Sequence, residues 1–445
     1  MTRLFGTDGI RGRANIHPMT CETALKAGRA AALLARELGE NRVIIGKDPR
    51  ISGDMLESAL AAGAASAGMN VGLAGVIPTP GVAFLAASLT GVGAGVMVSA
   101  SHNPFYDNGI KIFQKGGVKL NDAQEDVIEA HIRESRNVPR DRVGKISIIP
   151  DGLEMYARFL LDRFPFRKLT PPIRLVVDAA NGAASDISHR VFHCDLFDVH
   201  FIHDRPDGFN INAECGSQHI GDLRDQVLAR DADIGIAFDG DADRMIAVDE
   251  TGNVITGDRI LAICAGHAKK KNRLKNNTVV STIMSNIGLT RALESLGIRH
   301  VTTGVGDRQV LAEMKRSGAV MGGEDSGHMI FLDDHTTGDG ILSALRLIAI
   351  LAETGRSLSE LAKVMQVYPQ VLENVTVDAS RPDFTQVGAI AQVIEEVETC
   401  LGERGRVLVR YSGTQPLLRV MVEGPDKALT AACCRKICQA IRDNL

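Results

Sequence analysis

Three times along the chain an apolar strand runs into a polar or glycine-bearing loop and then into a helix, and this recurrence limits the fold more than any other feature. The openings are Arg42-Val-Ile-Ile-Gly-Lys-Asp-Pro-Arg-Ile-Ser-Gly, Arg174-Leu-Val-Val-Asp-Ala-Ala-Asn-Gly-Ala-Ala-Ser and Thr278-Val-Val-Ser-Thr-Ile-Met-Ser-Asn-Ile-Gly-Leu. Strands alternating with helices predict parallel sheets covered on both faces. Three such openings predict three divergent copies of one α/β unit. The last stretch departs from the pattern. A helix through Glu398, strands at Gly405-Arg-Val-Leu-Val-Arg and Leu417-Leu-Arg-Val-Met-Val-Glu, and a closing helix from Lys427 to Arg442 predict a smaller α+β domain with an antiparallel sheet. At 445 residues the chain exceeds what one core supports. We place the domains at 1–150, 151–252, 253–367 and 368–445.

Composition removes several function classes. A formal net charge of -4 gives no reason to expect nucleic acid or an anionic membrane as partner. The basic run Lys269 to Lys275 contains no aromatic residue for base stacking, so it reads as a solvated helix end or loop. No charged residue falls between Glu57 and His102, but Asn70 and Pro78-Thr-Pro80 interrupt the stretch. Buried helix–strand–helix structure explains it better than a membrane span, which needs about 20 predominantly apolar residues. The start, Met1-Thr-Arg-Leu-Phe-Gly, lacks a secretory apolar core, and a cytoplasmic location is expected. Eight cysteines (Cys21, Cys194, Cys215, Cys264, Cys400, Cys433, Cys434 and Cys438) form no Cys-x-x-Cys pair and read as reduced, structural thiols.

Chemistry concentrates in four loops. In open α/β sheets ligands gather beyond the carboxyl ends of strands. After Ala94-Gly-Val-Met-Val comes Ser99-Ala-Ser-His-Asn-Pro, which offers a serine nucleophile if a neighbour activates it; an ordinary polar turn has the same composition. After Asp233-Ile-Gly-Ile-Ala-Phe comes Asp239-Gly-Asp-Ala-Asp-Arg244, with three carboxylates on alternate residues, an oxygen set for a hard cation. A calcium helix–loop–helix is the competing reading, because Glu250 sits at the twelfth position. Arg244 at the sixth, where glycine is needed, and strand-like flanks count against it. The third loop, Glu324-Asp-Ser-Gly-His328, can bond sugar hydroxyls and move protons, or be a plain hairpin turn. The fourth, Arg410-Tyr-Ser-Gly-Thr-Gln-Pro with Arg419 beyond, has the groups of an anion cradle or of an exposed hairpin. Gly6-Thr-Asp-Gly-Ile-Arg-Gly12 adds a glycine-flanked Arg11. Walker, dinucleotide and nucleophile-elbow motifs do not occur, which argues against kinases, dehydrogenases and α/β-hydrolases.

Taken together and in order, the four loops resemble the α-D-phosphohexomutase superfamily over essentially the whole chain, from Phe5-Gly-Thr-Asp-Gly-Ile-Arg-Gly to Arg419-Val-Met-Val-Glu-Gly. The resemblance implies three α/β domains and a smaller fourth around a central cleft. It implies an intramolecular phosphotransferase that interconverts a hexose 6-phosphate and 1-phosphate, with glucosamine phosphate as the expected sugar and amino-sugar nucleotide synthesis as the use. Ser101 falls on the family's phosphoserine. Asp239, Asp241 and Asp243 fall on its ligands for one Mg2+ per subunit, completed by an oxygen of phospho-Ser101. Glu324 and Ser326 fall on the sugar contacts, and Arg410, Ser412, Gly413, Thr414 and Arg419 on the phosphate loop. Lys111, His102 and His328 match proton-transfer or catalytic positions, with Arg11 and Arg244 near the phosphoserine; Asn103 is a further neighbour. A hexose 1,6-bisphosphate is implied as intermediate and activator, and a monomer or homodimer as assembly.

Three positions depart from the pattern. Gln415 stands where glutamate is usual, Asp325 where glutamine is usual, and Gly304 where lysine is frequent. None removes a group that phosphoryl transfer requires, but all three bear on which sugar is accepted. Asp325 could pair with the ammonium of glucosamine phosphate, or bind backbone or solvent. The same catalytic groups would serve a phosphoglucomutase or phosphomannomutase. A phosphatase lacks use for a second anion cradle, and a sugar-phosphate sensor lacks use for a nucleophile.

Overall fold

The computed structural model describes residues 3–6, 8–134, 142–166, 168–192, 195–378, 382–411 and 417–445. Cys194, Ser412, Gly413, Thr414 and Gln415 therefore lie outside the described residues. Two compact units account for the chain: residues 1–284 with 298–363, and residues 285–297 with 364–445.

The first unit carries the three predicted α/β copies, and all three share one strand order. In the first copy the core strands are β1 (Arg42–Lys47), β2 (Asn70–Val76), β3 (Val92–Val98) and β4 (Asp107–Gln114). The second has β5 (Ile173–Asp178), β6 (Phe197–Ile202), β7 (Ile234–Phe238) and β8 (Met245–Asp249). The third has β9 (Thr278–Thr282), β10 (Arg299–Thr303), β11 (Met321–Gly323) and β12 (Met329–Phe331). Each copy is ordered second–first–third–fourth across its sheet. The first three strands pair in parallel. The fourth turns back antiparallel on the third. The sheets are thus mixed rather than wholly parallel as expected. The physical reason is connection length: a tight loop joins only antiparallel strands, whereas a parallel return needs a crossover.

Period-two alternation puts the first sheet between two cores, as both-face burial requires. Val43 and Ile45 join Val96, Val98, Ile110 and Ile112 on one side, while Ile44 joins Met97 and Phe113 on the other. The charge-free stretch from Glu57 to His102 resolves into the end of helix Gly53–Ser66, then β2, helix Thr79–Ser88 and β3. Its small residues have a cause. Helices Cys21–Glu37 and Gly53–Ser66 meet backbone to backbone: a Cβ on Gly28 would stand 2.1 Å from the Leu60 carbonyl oxygen, and one on Gly63 2.0 Å from that of Leu25. Among the described residues no helix is long and apolar enough to cross a membrane.

The second unit is an antiparallel sheet in the order β13 (Gln370–Thr376), β15 (Leu417–Glu423), β14 (Arg406–Tyr411), packed against helices Gly388–Leu401 and Lys427–Asn444. The edge strand β13 extends the two-stranded sheet expected from sequence. Exposure alternates along it, with Gln370, Leu372, Asn374 and Thr376 exposed. Helix Ile287–Ser295, which follows β9 in sequence, also belongs to this unit. Asn286 Oδ1 accepts the Tyr368 N–H at 3.0 Å, the Ile287 N–H donates to Glu423 at 3.1 Å, and Arg291 lies over the Tyr368 ring.

A buried histidine in the first unit makes stability sensitive to pH. His335 Nε2–H donates to the Pro80 carbonyl at 2.9 Å, and its Nδ1 accepts the Thr336 N–H at 2.7 Å. A second proton would confront that N–H, and burial pushes the pKa from 6.5 down to about 4. The folded state binds this proton less readily than the unfolded chain. The contribution is therefore complete above pH 6.5 and lost as pH falls from there toward 4. Between about pH 7 and about pH 5 the loss should reach about 2 kcal/mol. Urea midpoints of the native chain and His335→Gln across that range check it; parallel pH slopes would contradict the assignment.

Candidate active site

The loops that carry chemistry are the turns between third and fourth strands of each copy. Ser101 lies between β3 and β4, Asp239 to Arg244 between β7 and β8, and Glu324 to His328 between β11 and β12. Hairpin placement at the carboxyl ends of parallel strands exposes these side chains where ligands bind in open sheets.

Ser101 adopts the left-handed region at φ 54°, a conformation that costs a residue with a Cβ and persists only under constraint. The constraint is visible. The Ser101 N–H donates to Ser99 Oγ at 2.9 Å. Its carbonyl accepts from the Arg50 guanidinium at 2.8 Å and from the Asn212 amide at 2.9 Å. The same two side chains hold the Asn103 carbonyl at 2.8 Å and 3.0 Å. Arg50 is itself fixed by the buried Asp48, Nε to Oδ2 at 2.9 Å. The Ser101 hydroxyl is thereby aimed at Asp239, Oγ donating to Oδ2 at 2.5 Å. Asn103 turns its own amide to Asp107.

Asp239, Asp241 and Asp243 are all buried, and one carboxylate oxygen from each lies within 4.8 Å of the others. Burial, with Asp243 and Asp241 alongside, drives the Asp239 carboxyl well above its usual range. Cations arrive from two sides. Lys111 Nζ stands 2.7 Å from Asp241 and 3.3 Å from Asp243, and Arg244 Nε 3.8 Å from Asp243. Burial works to strip the Lys111 proton, but Asp241, Asp8 and Asp243 outweigh it and hold the ammonium charged. Burial likewise works to raise Asp243, and Lys111 and His328 outweigh that, keeping it ionised. Two oxygens, Asp241 Oδ1 and Asp243 Oδ1, are buried with no hydrogen-bond partner. Buried, unpartnered carboxylate oxygens in a convergent set fit a hard divalent cation. The antiparallel β7–β8 pairing excludes a calcium helix–loop–helix.

Around this centre the remaining predicted residues fall as follows. His102 Nδ1 is 3.5 Å from Ser101 Oγ and 3.2 Å from Arg244 Nη1; burial and the Arg244 charge lower its pKa to about 4, so the ring is neutral. Arg11 reaches the cluster through Asp8, Nη2 to Oδ2 at 2.7 Å. His328 is buried between two carboxylates, 3.6 Å from Asp243 and 3.6 Å from Asp307. Burial lowers its pKa, Asp243 raises it, and the raise prevails. Glu324 Oε1 accepts the Gly306 N–H at 3.2 Å, while Ser326 Oγ is buried with no partner. Asp325 turns away from that set: its Oδ1 lies 3.4 Å from the Asp258 N–H, in the first turn of helix Gly257–Lys270. On the second unit, Arg410 and Arg419 are direct cross-strand partners in β14 and β15. Burial and Arg419 lower the Arg410 pKa, and Arg419 Nε is buried without a partner. Like charges so placed favour an anion between them.

Several members of the cluster went unassigned in the sequence. Arg50 and Asp48 lie in the quoted loop after β1, yet nothing local tells which carbonyls Arg50 reaches. Asp8 bridges Lys111, at 3.0 Å, to Lys119, at 2.7 Å, and Lys119 pairs with Asp307. Thr79 donates to Asp241. Only the meeting of distant segments reveals these roles.

Comparisons with known proteins agree with this geometry. The models of phosphoglucomutase/phosphomannomutase α/β/α domains I, II and III match residues 2–138, 154–252 and 256–368, and that of the C-terminal domain matches 347–440. The phosphoglucosamine mutase of Desulforapulum autotrophicum is 58% identical over 459 residues, covering 99% of each chain. That of Syntrophobacter fumaroxidans is 51% identical over 447 residues, again with 99% of each covered. A phosphoglucomutase/phosphomannomutase family protein from Burkholderia thailandensis superposes with a TM-score of 0.82 at 26% identity, over 98% of this chain and 97% of that one. The N-acetylphosphoglucosamine mutase of Aspergillus fumigatus, solved with GlcNAc-6P and magnesium, shares the fold at a TM-score of 0.71 and 19% identity, over 99% and 96%. With all four domains matched in order, the chain belongs to the phosphoglucomutase/phosphomannomutase family and is an enzyme that isomerises phosphohexoses by phosphoryl transfer.

Proposed function

We propose that the chain interconverts glucosamine 6-phosphate and glucosamine 1-phosphate through phosphorylated Ser101 and a hexosamine 1,6-bisphosphate. The observation that carries this reading is Ser101 Oγ held 2.5 Å from the buried Asp239 inside a three-carboxylate loop, in a chain up to 58% identical to phosphoglucosamine mutases. Phosphoryl transfer asks for positioning and charge neutralisation. Phospho-Ser101 gives its phosphoryl group to the free sugar hydroxyl: the seryl O–P bond breaks, a sugar O–P bond forms, and the proton lost by the sugar hydroxyl is made good on the seryl oxygen. The bisphosphate turns over, and its other phosphate returns to Ser101. A bisphosphate from solution would prime an unphosphorylated enzyme by the same return step.

Asp239, Asp241, Asp243 and a phosphoserine oxygen would hold one Mg2+, which when bound supplies positive charge against the transferring group. The protein's own groups divide the remaining work. Arg50 and Asn212 fix the Ser101 backbone. Arg244 and Lys111 bring permanent positive charge to the phosphoryl site. The seryl proton already points at Asp239, whose raised pKa suits it to hold that proton, and His102, neutral, stands between Ser101 Oγ and Arg244. Glu324 and Ser326 are suited to sugar hydroxyls, and Arg410 with Arg419 to the idle phosphate.

Ser101→Ala should lower turnover by at least about 10^4-fold and remove the one-phosphoryl mass increment that phosphatase treatment removes from the native chain. Retention of parental turnover would reject the phosphoserine route. Against matched glucosamine, glucose and mannose phosphates, with and without bisphosphate, kcat/KM should be highest for the glucosamine ester. A higher value for either other sugar would reject the substrate assignment alone.

Arg50→Met should cost about 10- to 100-fold in kcat with KM changed less than about threefold, since it misplaces Ser101 without touching sugar. Single-turnover transfer from pre-phosphorylated enzyme checks this. Asp325→Asn should change turnover of glucosamine and glucose phosphates equally and lower the thermal midpoint slightly, because the carboxylate serves a helix N-terminus. A selective loss on glucosamine phosphate would restore the ammonium pairing.

A further inference from the structure

Behind the acidic loop, three side chains of different chemistry converge past the carboxyl end of β5. Asp178 closes β5, His203 follows directly on β6, and Cys215 precedes the short turn Gly216–Gln218. One ligand atom of each lies within 4.8 Å of the other two, His203 Nδ1 standing 3.1 Å from Asp178 Oδ2. Every donor already has the outer partner that a metal ligand requires. His203 Nε2 faces Asp222 Oδ2 at 3.2 Å, the carboxylate–imidazole relay that leaves Nδ1 free to coordinate. Asp178 accepts the Ala180 N–H at 2.8 Å on one oxygen and the Gly216 N–H at 2.9 Å on the other. The Asn181 amide donates to the Cys215 sulfur at 3.8 Å.

We propose that Asp178, His203 and Cys215 form a second metal site, selective for a borderline transition ion such as Zn2+, with one coordination position left for water. Thiolate, imidazole and a single carboxylate suit Zn2+ and do not suit Mg2+, the reverse of the acidic triad. Tetrahedral zinc donors sit about 3–4 Å apart, within the spread seen here. An imidazolium clamped between Asp178 and Asp222 accounts for less of the geometry. Asp178 at 3.1 Å raises the His203 pKa, but their contact falls short of a well-formed hydrogen bond, and the clamp gives Cys215 no part. Asp178 and Cys215 are fully buried, while the His203 side chain keeps 26% of its surface exposed and so offers an entry path. On binding, the Cys215 proton leaves to solvent as the sulfur–metal bond forms, and so does the Nδ1 proton of any His203 that is imidazolium.

The site would act as a tie. It joins the ends of two strands to the loop holding Asn212, whose N–H bonds the Ala180 carbonyl at 2.9 Å and whose amide grips the Ser101 and Asn103 carbonyls. The inference stands apart from the sugar assignment, since it concerns a different ion on different residues.

The test uses the full-length protein saturated with Mg2+ and titrated with Co2+, whose thiolate complexes absorb in the near ultraviolet. The expected result is a band that saturates at one equivalent and is displaced by one equivalent of Zn2+. Cys215→Ser should abolish it, His203→Gln should weaken Co2+ affinity by at least about tenfold, and Asp241→Asn should leave it intact. No band in the native protein overturns the proposal. So does a band unchanged in His203→Gln, a position whose side chain is partly exposed. A band removed by Cys434→Ala instead belongs to Glu373, Cys434 and Cys438, the other thiol-bearing cluster, and overturns it equally.

Discussion

Three buried carboxylates on alternate residues of one loop repel each other, and the first unit is organised around meeting that charge. Asp239, Asp241 and Asp243 come from the second copy; Lys111, Asp8 and Lys119 come from the first; His328 and Asp307 come from the third. Lys111, Lys119 and His328 each touch carboxylates of two copies, so the copies share the burial of these charges. Burying an ion pair costs desolvation that the attraction only roughly offsets, whereas deleting one partner leaves a bare charge at about 3–5 kcal/mol. Such a network adds little net stability but strongly penalises any arrangement of the three copies in which a partner is missing. Its value lies in register between domains.

The repeated strand order explains why three unrelated chemistries occupy equivalent places. The third strand of each copy ends at the carboxyl edge of a parallel sheet, and the antiparallel fourth strand forces a short reversal there. That reversal is the Ser101 loop in the first copy, the aspartate loop in the second and Glu324 to His328 in the third. The side chains on these turns differ while the hydrogen-bonded ladder beneath them has the same order. Backbone register fixes each turn on two rigid strands, which suits groups that must be held to within a fraction of an ångström.

Side chains whose meaning lies in local spacing were readable from sequence. The Asp-x-Asp-x-Asp run, the serine loop and the strand–loop–helix openings each declare themselves within a dozen residues. Arg50 could not, because the carbonyl it grips belongs to a residue 51 positions away. Asn212 acts across 111 positions, and Lys119 meets Asp307 across 188. Asp325 could be read two ways from its loop, as a ligand contact or a backbone partner; the loop packs against helix Gly257–Lys270, and the carboxylate takes the Asp258 N–H. The antiparallel fourth strands and the extra strand β13 escaped notice because short apolar runs carry no sign of direction or pairing. The transfer of helix Ile287–Ser295 to the second unit likewise depends on contacts with Tyr368 and Glu423, which lie far along the chain.

The way Lys111 divides the carboxylates accounts for how the acidic loop can be both folded and receptive. Lys111 and Thr79 engage Asp241 through Oδ2, and Lys111 engages Asp243 through Oδ2 as well. Oδ1 of each is left buried and without a hydrogen-bond partner. A carboxylate pinned by one oxygen has lost most of its rotational freedom, so the entropy of orienting its second oxygen is spent before any ligand arrives. The ammonium also cannot satisfy the loop by itself: Asp239 stays high in pKa beside it, held up by burial and by its two neighbours. Lys111 therefore neutralises enough charge to let the loop fold, and little enough that positive charge is still wanted at the oxygens left without a hydrogen bond. A neutral side chain at position 111 would fail the first requirement, and a second lysine beside it would fail the other.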